Sequence, residues 1–552
     1  MATYLDGVQY AQDVVDGKIL NCKYIIQACQ RFLDDLERED WKWKFNVEKA
    51  NHALLFVEHS IVHVKGPLAG EAIKLEPWQV FILVNLFGWF DDDEVRRFNY
   101  AVLEIPRKNG KSIFASALAI YEMAFGQEGA EVYSLATKRD QAKICWDVAA
   151  RMLERGPKAL KKRFKTTQSK IVNYENWSTY TPLGRDSKSH DGLNPSLSIF
   201  DEAAAYSDPH IVSVMESATG ARWGNFLHLF ITTAQYSKTT IYYDKRSYLV
   251  NLLDGKYEDD RFFGVIYTLD EGDDWQDESV WPKANPNFNV SIDPETLRGE
   301  VKQAKELLSK RSEVIVKHFN VWQNTADAWI DTAFWTDEIN VLDEINRSGK
   351  LFVGLDLAMT TDLCAVTSLY VAGDVYHADF KCFLPEEALK NATASVLPIY
   401  QRAVDRGSLI VTEGDVTDYN FIQQYIEQLA EENNLEAVAY DPYNSTQLVT
   451  NLTESKINLL KVGQSIGHLS PAAKQTEAFI ISGLIKHLND PFILWQLENC
   501  TVYRDLNENI KVRKGDDNTL KIDAIIALIM AVSLAAGHLE LKKKPMIWTV
   551  EE

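Results

Sequence analysis

Apolar residues over the first sixty positions recur at three- and four-residue steps. In CKYIIQACQRFLDDLE, for example, Ile25, Cys29, Phe32 and Leu36 fall on one face, a spacing that predicts helices. From about residue 97 the texture changes to short apolar, β-branched runs. FNYAVLEI, AEVYSLAT, PSLSIF, FLHLFITT and FFGVIYTL read as strands buried on both faces, with SIFASALAIYEMAF and RDQAKICWDVAARMLER as helices between them. Alternating strands and helices of this kind predict an α/β class with a mostly parallel sheet. A polar stretch, DDWQDESVWPKANPNFN, then leads to a charged helix near 293–320, and NTADAWIDTAFWTDEINVLDEINRSGK reads as a linker carrying a helix. A second strand set opens at 351 with LFVGLDLA, LCAVTSLY and VYHADFKCF, the last two joined by VAGD, a hairpin turn signal; SLIVTEG and LEAVAYD follow. The expected division is a helical segment at 1–60 attached to a first domain at 61–325, a linker at 326–350, a second, mixed-sheet domain at 351–540 and a tail at 541–552.

Composition changes this picture little. The chain has 552 residues and is 46% hydrophobic and 25% charged, which excludes disordered, collagen-like and disulfide-scaffold classes. Its charge matters more. With 58 basic and 79 acidic residues the net charge is −21, which opposes loose electrostatic binding to nucleic acid or anionic membranes. Any handling of DNA must therefore use local basic patches and metal ions. One such patch is KALKKRFK, with Lys158, Lys161, Lys162, Arg163 and Lys165; its plainer alternative is a solvated basic loop. The six cysteines are scattered, which points to reduced thiols rather than a zinc site. The N-terminus has neither a basic nor an apolar signal region. The longest apolar run, Ala524 to Ala536, is shorter than the roughly 20 residues a membrane span needs, so no membrane partner is expected.

The chemistry begins at EIPRKNGKSIF, where Arg107, Lys108, Asn109, Gly110, Lys111 and Ser112 lie between a strand and a helix. Backbone N–H groups at such a helix N-terminus hold phosphate oxygens; Lys111 would reach the β- and γ-phosphates, and the Ser112 hydroxyl would bind Mg²⁺. Ile105 stands where the usual pattern has its first glycine, and the alternative is a turn that merely caps a helix. Next, PSLSIFDEAAAY is an apolar strand ending in Asp201 and Glu202, suited to orienting an Mg²⁺ ligand and polarising an attacking water; the alternative is an acidic N-cap. HLFITTAQ closes on Thr232 and Thr233, whose hydroxyls suit a γ-phosphate sensor as well as a β-branched strand end. Upstream, KLEPWQVFIL offers Gln79 for an adenine edge, with Trp78 packing nearby.

The second domain carries three acids of its own. Asp356 sits mid-strand in LFVGLDLA, where a carboxylate among apolar neighbours is costly unless paired or metal-bound. Asp441 ends a strand in LEAVAYDPYNS, and Asp523 opens KIDAIIALIMAV. Converging, they would hold two Mg²⁺ or Mn²⁺ ions for phosphodiester cleavage. Asp441 also suits a turn and Asp523 a helix cap. Asp362 is an auxiliary ligand candidate or a turn acid.

Taken in order, Pro–Trp–Gln, PRKNGKS, IFDEA and ITTA resemble the ATPase of tailed-bacteriophage terminase large subunits, and GLDLA, YDPYN and KIDA resemble their nuclease motifs. The resemblance spans roughly residues 40–540. It implies a RecA/ASCE-like P-loop ATPase domain followed by a ribonuclease-H-like nuclease domain. It also implies ATP-driven translocation of double-stranded DNA and a two-metal endonuclease that cuts concatemeric genomes. The family lacks the first glycine, and an arginine at the Arg107 position helps hold phosphates. The implied cofactors are ATP and Mg²⁺, with Mn²⁺ a candidate at the nuclease site. The implied partners are the portal protein, the small terminase subunit and further copies in a homo-oligomeric ring (a pentamer), with the isolated chain a monomer. The implied location is the host cytoplasm, transiently at the procapsid portal. An arginine from a neighbouring copy completes such sites, and Arg139, Arg185 and Arg222 are the candidates. Two alternatives stand beside this reading: a cellular helicase–nuclease, and a scaffold that binds nucleotide only to regulate assembly.

Overall fold

A computed structural model describes residues 1–184, 192–206, 210–236, 238, 240–323, 328–358, 361–393, 396–442, 446–505, 508–515 and 519–536. The chain divides into two compact units, Met1–Gln323 and Asn324–Glu552.

The first unit is built on an eight-stranded sheet. Its strands are β1 (Tyr100–Glu104), β2 (Glu131–Ala136), β3 (Phe164–Thr166), β4 (Ile171–Asn173), β5 (Thr179–Gly184), β6 (Pro195–Asp201), β7 (Leu227–Thr232) and β8 (Phe262–Ile266), in the order β8-β1-β7-β6-β2-β5-β4-β3. The six strands from β8 to β5 run parallel, and β4 and β3 add an antiparallel edge. Both faces are buried, which is why these strands read as continuous apolar runs. On one face Leu103, Val132, Ile199, Leu229 and Val265 pack with the N-terminal helices Tyr4–Val15, Lys23–Glu37 and Val47–Ser60. On the other, Val102, Leu135, Phe200, Phe230 and Ile266 form a second core with Tyr242 and Leu249 of the helix Ile241–Leu253. The first sixty residues are thus integral to this unit. The charged stretch expected near 293–320 is two helices, Pro294–Glu306 and Leu308–His318.

The second unit holds a seven-stranded mixed sheet of β9 (Lys350–Asp356), β10 (Cys364–Ala372), β11 (Val375–Pro385), β12 (Leu409–Thr412), β13 (Asn434–Tyr440), β14 (Leu459–Lys461) and β15 (Ile485–Lys486). Its order is β12-β11-β10-β9-β13-β14, with β15 beside β11. The strands β9, β10 and β11 are antiparallel neighbours, and β13 lies parallel to β9. Gly373, at φ 67°, makes the tight turn that VAGD signals. The helix Asp523–Ala535, buried along its length, is the long apolar run and crosses one sheet face. The 326–350 stretch differs from the expected linker. Trp329, Ile330 and Trp335 are buried in this unit's core, and Trp335 stacks on His487 at 3.8 Å, because three large apolar side chains gain more from burial than from tethering. The tail at 541–552 lies outside the described residues. No described helix is long and apolar enough to cross a membrane.

Candidate active sites

In the first unit the parallel strands β1, β7 and β6 deliver their C-terminal ends to one edge of the sheet, where open α/β sheets bind ligands. Glu104 pairs with Thr232 and Asp201 with Ile231, so the phosphate loop, the two threonines and the acidic pair emerge side by side. The loop turns through left-handed backbone at Lys108 (φ 67°) and Gly110 (φ 82°) before the helix Lys111–Phe125 begins. Lys111 is 9% exposed; its Nζ donates to the carbonyls of Ile105 (2.6 Å) and Pro106 (3.0 Å) and to Thr233 Oγ1 (2.6 Å). Burial lowers its ammonium to about 8, against the pull of Glu202 and Asp201.

Asp201 ends β6 with its carboxylate buried. Burial, then the charge of Glu202, push it up to about 6. Cys145 Sγ donates to Asp201 Oδ2 at 3.3 Å, and the Ser112 side chain lies beside the same thiol. Ser112 and Asp201, the two groups expected to share a cation, therefore meet around one thiol. Glu202 is exposed and sits in left-handed backbone (φ 50°, ψ 45°), a conformation costly for a non-glycine residue. Its carbonyl accepts from Ala205 N at 2.9 Å, and Tyr206 Oη donates to the Leu135 and Asp201 carbonyls, which fixes the turn. Thr232 Oγ1 accepts from Ala204 N (3.1 Å) in that turn, while Thr233 Oγ1 donates to Ile105 O (3.1 Å) in the loop. The threonine pair bridges the two halves of the site.

Other expected residues fall differently. The Asn109 side chain is fully buried and faces protein: its Nδ2 donates to Asn285 Oδ1 (3.2 Å) and its Oδ1 accepts from Asn287 N (3.1 Å). It braces the loop, because a buried amide must find partners. Trp78 joins the same brace through Asn287 Oδ1 at 2.7 Å. Gln79 Oε1 accepts from Glu76 N at 3.0 Å, closing a capping box at the helix Pro77–Gly88. Arg107 is exposed beside the loop, and Arg139 is exposed at a helix start. Arg222 is 6% exposed with its guanidinium on the carbonyls of Asn194 and Gly129, which removes it as an arginine reaching a neighbouring copy. Arg185 lies outside the described residues. Of the basic run, Lys158, Lys161, Lys162 and Lys165 are exposed, and Arg163 pairs with Glu175 at 2.6 Å.

In the second unit Asp356 and Asp441 occupy the ends of neighbouring parallel strands, one step beyond the Leu355–Tyr440 pair. Asp523 arrives on the crossing helix. A Cβ added at Gly354 would lie 1.8 Å from Ala527 O, so the helix rests on bare strand backbone there. Thr367 Oγ1 donates to Ala524 O (3.0 Å) and Gln496 Oε1 accepts from Ala524 N (2.9 Å), fixing the helix start. The half-buried carboxyls of Asp356 and Asp523 are both pushed up, first by burial. Asp356 also feels Asp523, Asp441 and Asp362; Asp523 feels Asp362, with Lys521 opposing. Two polar partners not singled out from the sequence act here: Gln464 Nε2 donates to Asp356 Oδ1 at 2.7 Å, and Lys521, the first residue of KIDA, pairs with Asp362. No three of the described His, Cys, Asp and Glu side chains are grouped so as to hold a metal ion. The expected convergence is thus an acidic neighbourhood rather than a finished ligand cage, with like charges repelling and Gln464 and Lys521 drawing two carboxylates aside. An all-oxygen donor set in which acids outnumber the single cation Lys521 fits hard divalent cations.

Comparison with known proteins matches this division of labour. A family model described as terminase large subunit, ATPase domain, matches residues 77–251, and one described as terminase large subunit, endonuclease domain, matches residues 256–539. The second match begins inside the first structural unit, whose β8 hydrogen-bonds to β1. The chain is 29% identical over 412 residues to the protein YmfN of Escherichia coli K12, covering 71% of this chain and 87% of that protein. It is 24% identical over 504 residues to the terminase large subunit of Enterobacteria phage HK97, covering 89% and 96%. The crystal structure of the HK97 large terminase aligns with a TM-score of 0.45 at 22% identity, covering 88% of this chain and all of that one. The helicase–nuclease and scaffold alternatives are not favoured by these matches. With a RecA-like unit, a ribonuclease-H-like unit and both family models in register, the chain belongs to the terminase large subunit family, the ATPase–endonucleases of viral DNA packaging.

Proposed function

We propose that Lys111, Ser112, Asp201 and Glu202 hydrolyse ATP to drive double-stranded DNA into the capsid, and that Asp356, Asp441 and Asp523 form the centre that cuts the concatemer. The observation that carries the first assignment is the meeting of Ser112 and Asp201 at Cys145 beside Lys111. The second rests on the mutual charge of acids from two strand ends and a helix. Divalent cations, Mg²⁺ at the first site and Mg²⁺ or Mn²⁺ at the second, supply neutralisation of phosphate oxygens and a more acidic water. Lys111 exchanges its loop carbonyls for β- and γ-phosphate oxygens, with Arg107 and the loop backbone alongside. Glu202 orients the attacking water and takes its proton. Thr232 and Thr233 relate the state of the γ-phosphate to the acidic turn, and Gln79, whose Oε1 closes the capping box, would meet the adenine edge through its amide nitrogen. At the nuclease site Gln464 orients Asp356, and backbone contacts to the cut strand give little sequence preference.

The working assembly we propose is a homo-oligomeric ring, a pentamer, docked on the portal protein and supplied with DNA by the small terminase subunit in the host cytoplasm. Arg139 and Arg185 are the candidates for completing a neighbour's site.

Separation of function tests these assignments. Glu202→Gln is expected to lower steady-state ATPase at least about a hundredfold while Mn²⁺-dependent plasmid nicking persists. Asp356→Ala is expected to abolish nicking while ATPase persists. Unchanged ATPase in the first variant, or joint loss in either, contradicts the two-site assignment.

A further inference from the structure

The C-terminal end of the helix Leu308–His318 lies against the phosphate loop. Arg107 N donates to Lys317 O at 3.1 Å, so loop and helix end are joined through their main chains. Lys317 itself is only 8% exposed. Its Nζ donates to Gln235 Oε1 at 3.0 Å and stands 5.7 Å from the centre of the Tyr236 ring, both just beyond Thr233. Among the described residues no carboxylate forms an ion pair with it. An ammonium carries three donors, and one amide oxygen with one aromatic face leaves its charge incompletely answered. The charges it feels are Arg107 and, with opposite sign, Glu202 and Glu313; burial and Arg107 together lower its affinity for its proton. Lys111 in turn feels Lys317, Arg107, Glu202 and Asp201. Four cations, Arg107, Lys108, Lys111 and Lys317, therefore stand at the loop with three acids, Asp201, Glu202 and Glu313. A surplus of positive charge at a loop built for phosphates favours the most highly charged nucleotide.

We propose that Lys317 is a nucleotide-contacting residue of the ATPase site, its ammonium leaving Gln235 to meet the terminal phosphate of bound ATP. It is supplied from the helix Leu308–His318 of the same chain and discriminates triphosphate from diphosphate. The inference rests on the reading of the Lys111 loop as the triphosphate site.

The test is titration of the full chain with ADP and with the non-hydrolysable analogue AMP-PNP, both with Mg²⁺. Lys317→Met is expected to weaken AMP-PNP binding about tenfold or more, the worth of one charge-assisted hydrogen bond, and ADP binding less than about twofold. Lys317→Arg restores most of the preference. Equal weakening for both nucleotides, as a merely structural lysine would give, or no change for either, overturns the proposal. Should Lys317→Met fail to fold, Gln235→Ala serves. Freed of its amide partner, Lys317 then binds AMP-PNP at least as tightly as in the parent chain, and selective loss of AMP-PNP binding overturns the proposal. A parent chain that binds neither nucleotide, or a Lys111→Ala variant that binds both unchanged, would instead remove the underlying loop assignment.

Discussion

Burial and the neighbouring Glu202 push the Asp201 carboxyl up to about 6 from the ordinary 3.8. The folded chain thus holds this proton more tightly than the unfolded chain. Its contribution to stability without ligands is greatest below about pH 4, falls as pH rises to about 6, and is constant above. Cation binding needs the ionised form. Apparent Mg²⁺ affinity in ATPase assays is therefore expected to fall about tenfold per pH unit below about pH 6, and Asp201→Asn removes the dependence along with the activity. Melting temperatures and Mg²⁺ titrations between pH 5 and 8 check both signs. Residues also mark what the sequence could and could not show. Glu104 and Asp356 both place a carboxylate in an apolar strand. Glu104 is answered by Tyr242 (3.0 Å), Arg246 (3.0 Å) and Trp322 (3.2 Å), from segments far along the chain. Asp356 meets a glutamine and more acids. The same local signal thus led to a candidate site residue in one case and concealed a structural ion pair in the other, because partners more than a hundred positions away leave no trace in the local pattern.

At the scale of elements, strands buried on both faces were legible wherever an apolar run was long. The short antiparallel edge β3–β4 and the hairpin of Cys500–Arg504 with Ile510–Lys514 were not, since two or three inward side chains give no period to detect. The phosphate loop was legible as a contiguous strand–loop–helix segment. Its brace from Trp78 through Asn287 to Asn109 was not, because it joins three segments through side-chain amides and an indole. Removing the indole donor by Trp78→Phe leaves Asn287 Oδ1 buried without that partner and is expected to cost about 1–3 kcal/mol, measured by denaturant unfolding, with weaker nucleotide binding as the loop loosens. In the second unit Gly354→Ala places a methyl group against the Ala527 carbonyl. Overpacking of this kind is expected to cost about 1–3 kcal/mol or more and to depress nicking by lifting Asp523 away from Asp356, while ATPase is retained.

For the molecule as a whole, a net charge of −21 sets the terms on which DNA is handled. The helix Lys158–Arg163 presents Lys158, Lys161 and Lys162 to solvent, a local exception to an acidic surface. Reversing Lys161 and Lys162 to glutamate is expected to weaken duplex binding uniformly across sequences and to flatten its dependence on salt by about 0.9 in logarithmic slope per lost phosphate contact. An unchanged slope in a filter-binding or anisotropy titration assigns the helix to solvent instead. Two compact units, each with its own cores and with its proposed site at the C-terminal ends of neighbouring parallel strands, explain why the expected losses of ATPase and of nicking are separable.

The helix that carries Asp523 sits on main-chain atoms at Gly354, and main-chain contact yields to no change of rotamer. Its floor behaves as a mechanical stop. Ions of unequal radius must then be accommodated by swivelling carboxylates, with the helix axis held still, so crystals grown with Mg²⁺ and with Mn²⁺ are expected to superpose in backbone across residues 350–356 and 523–535 and to differ only in the torsions of the aspartates.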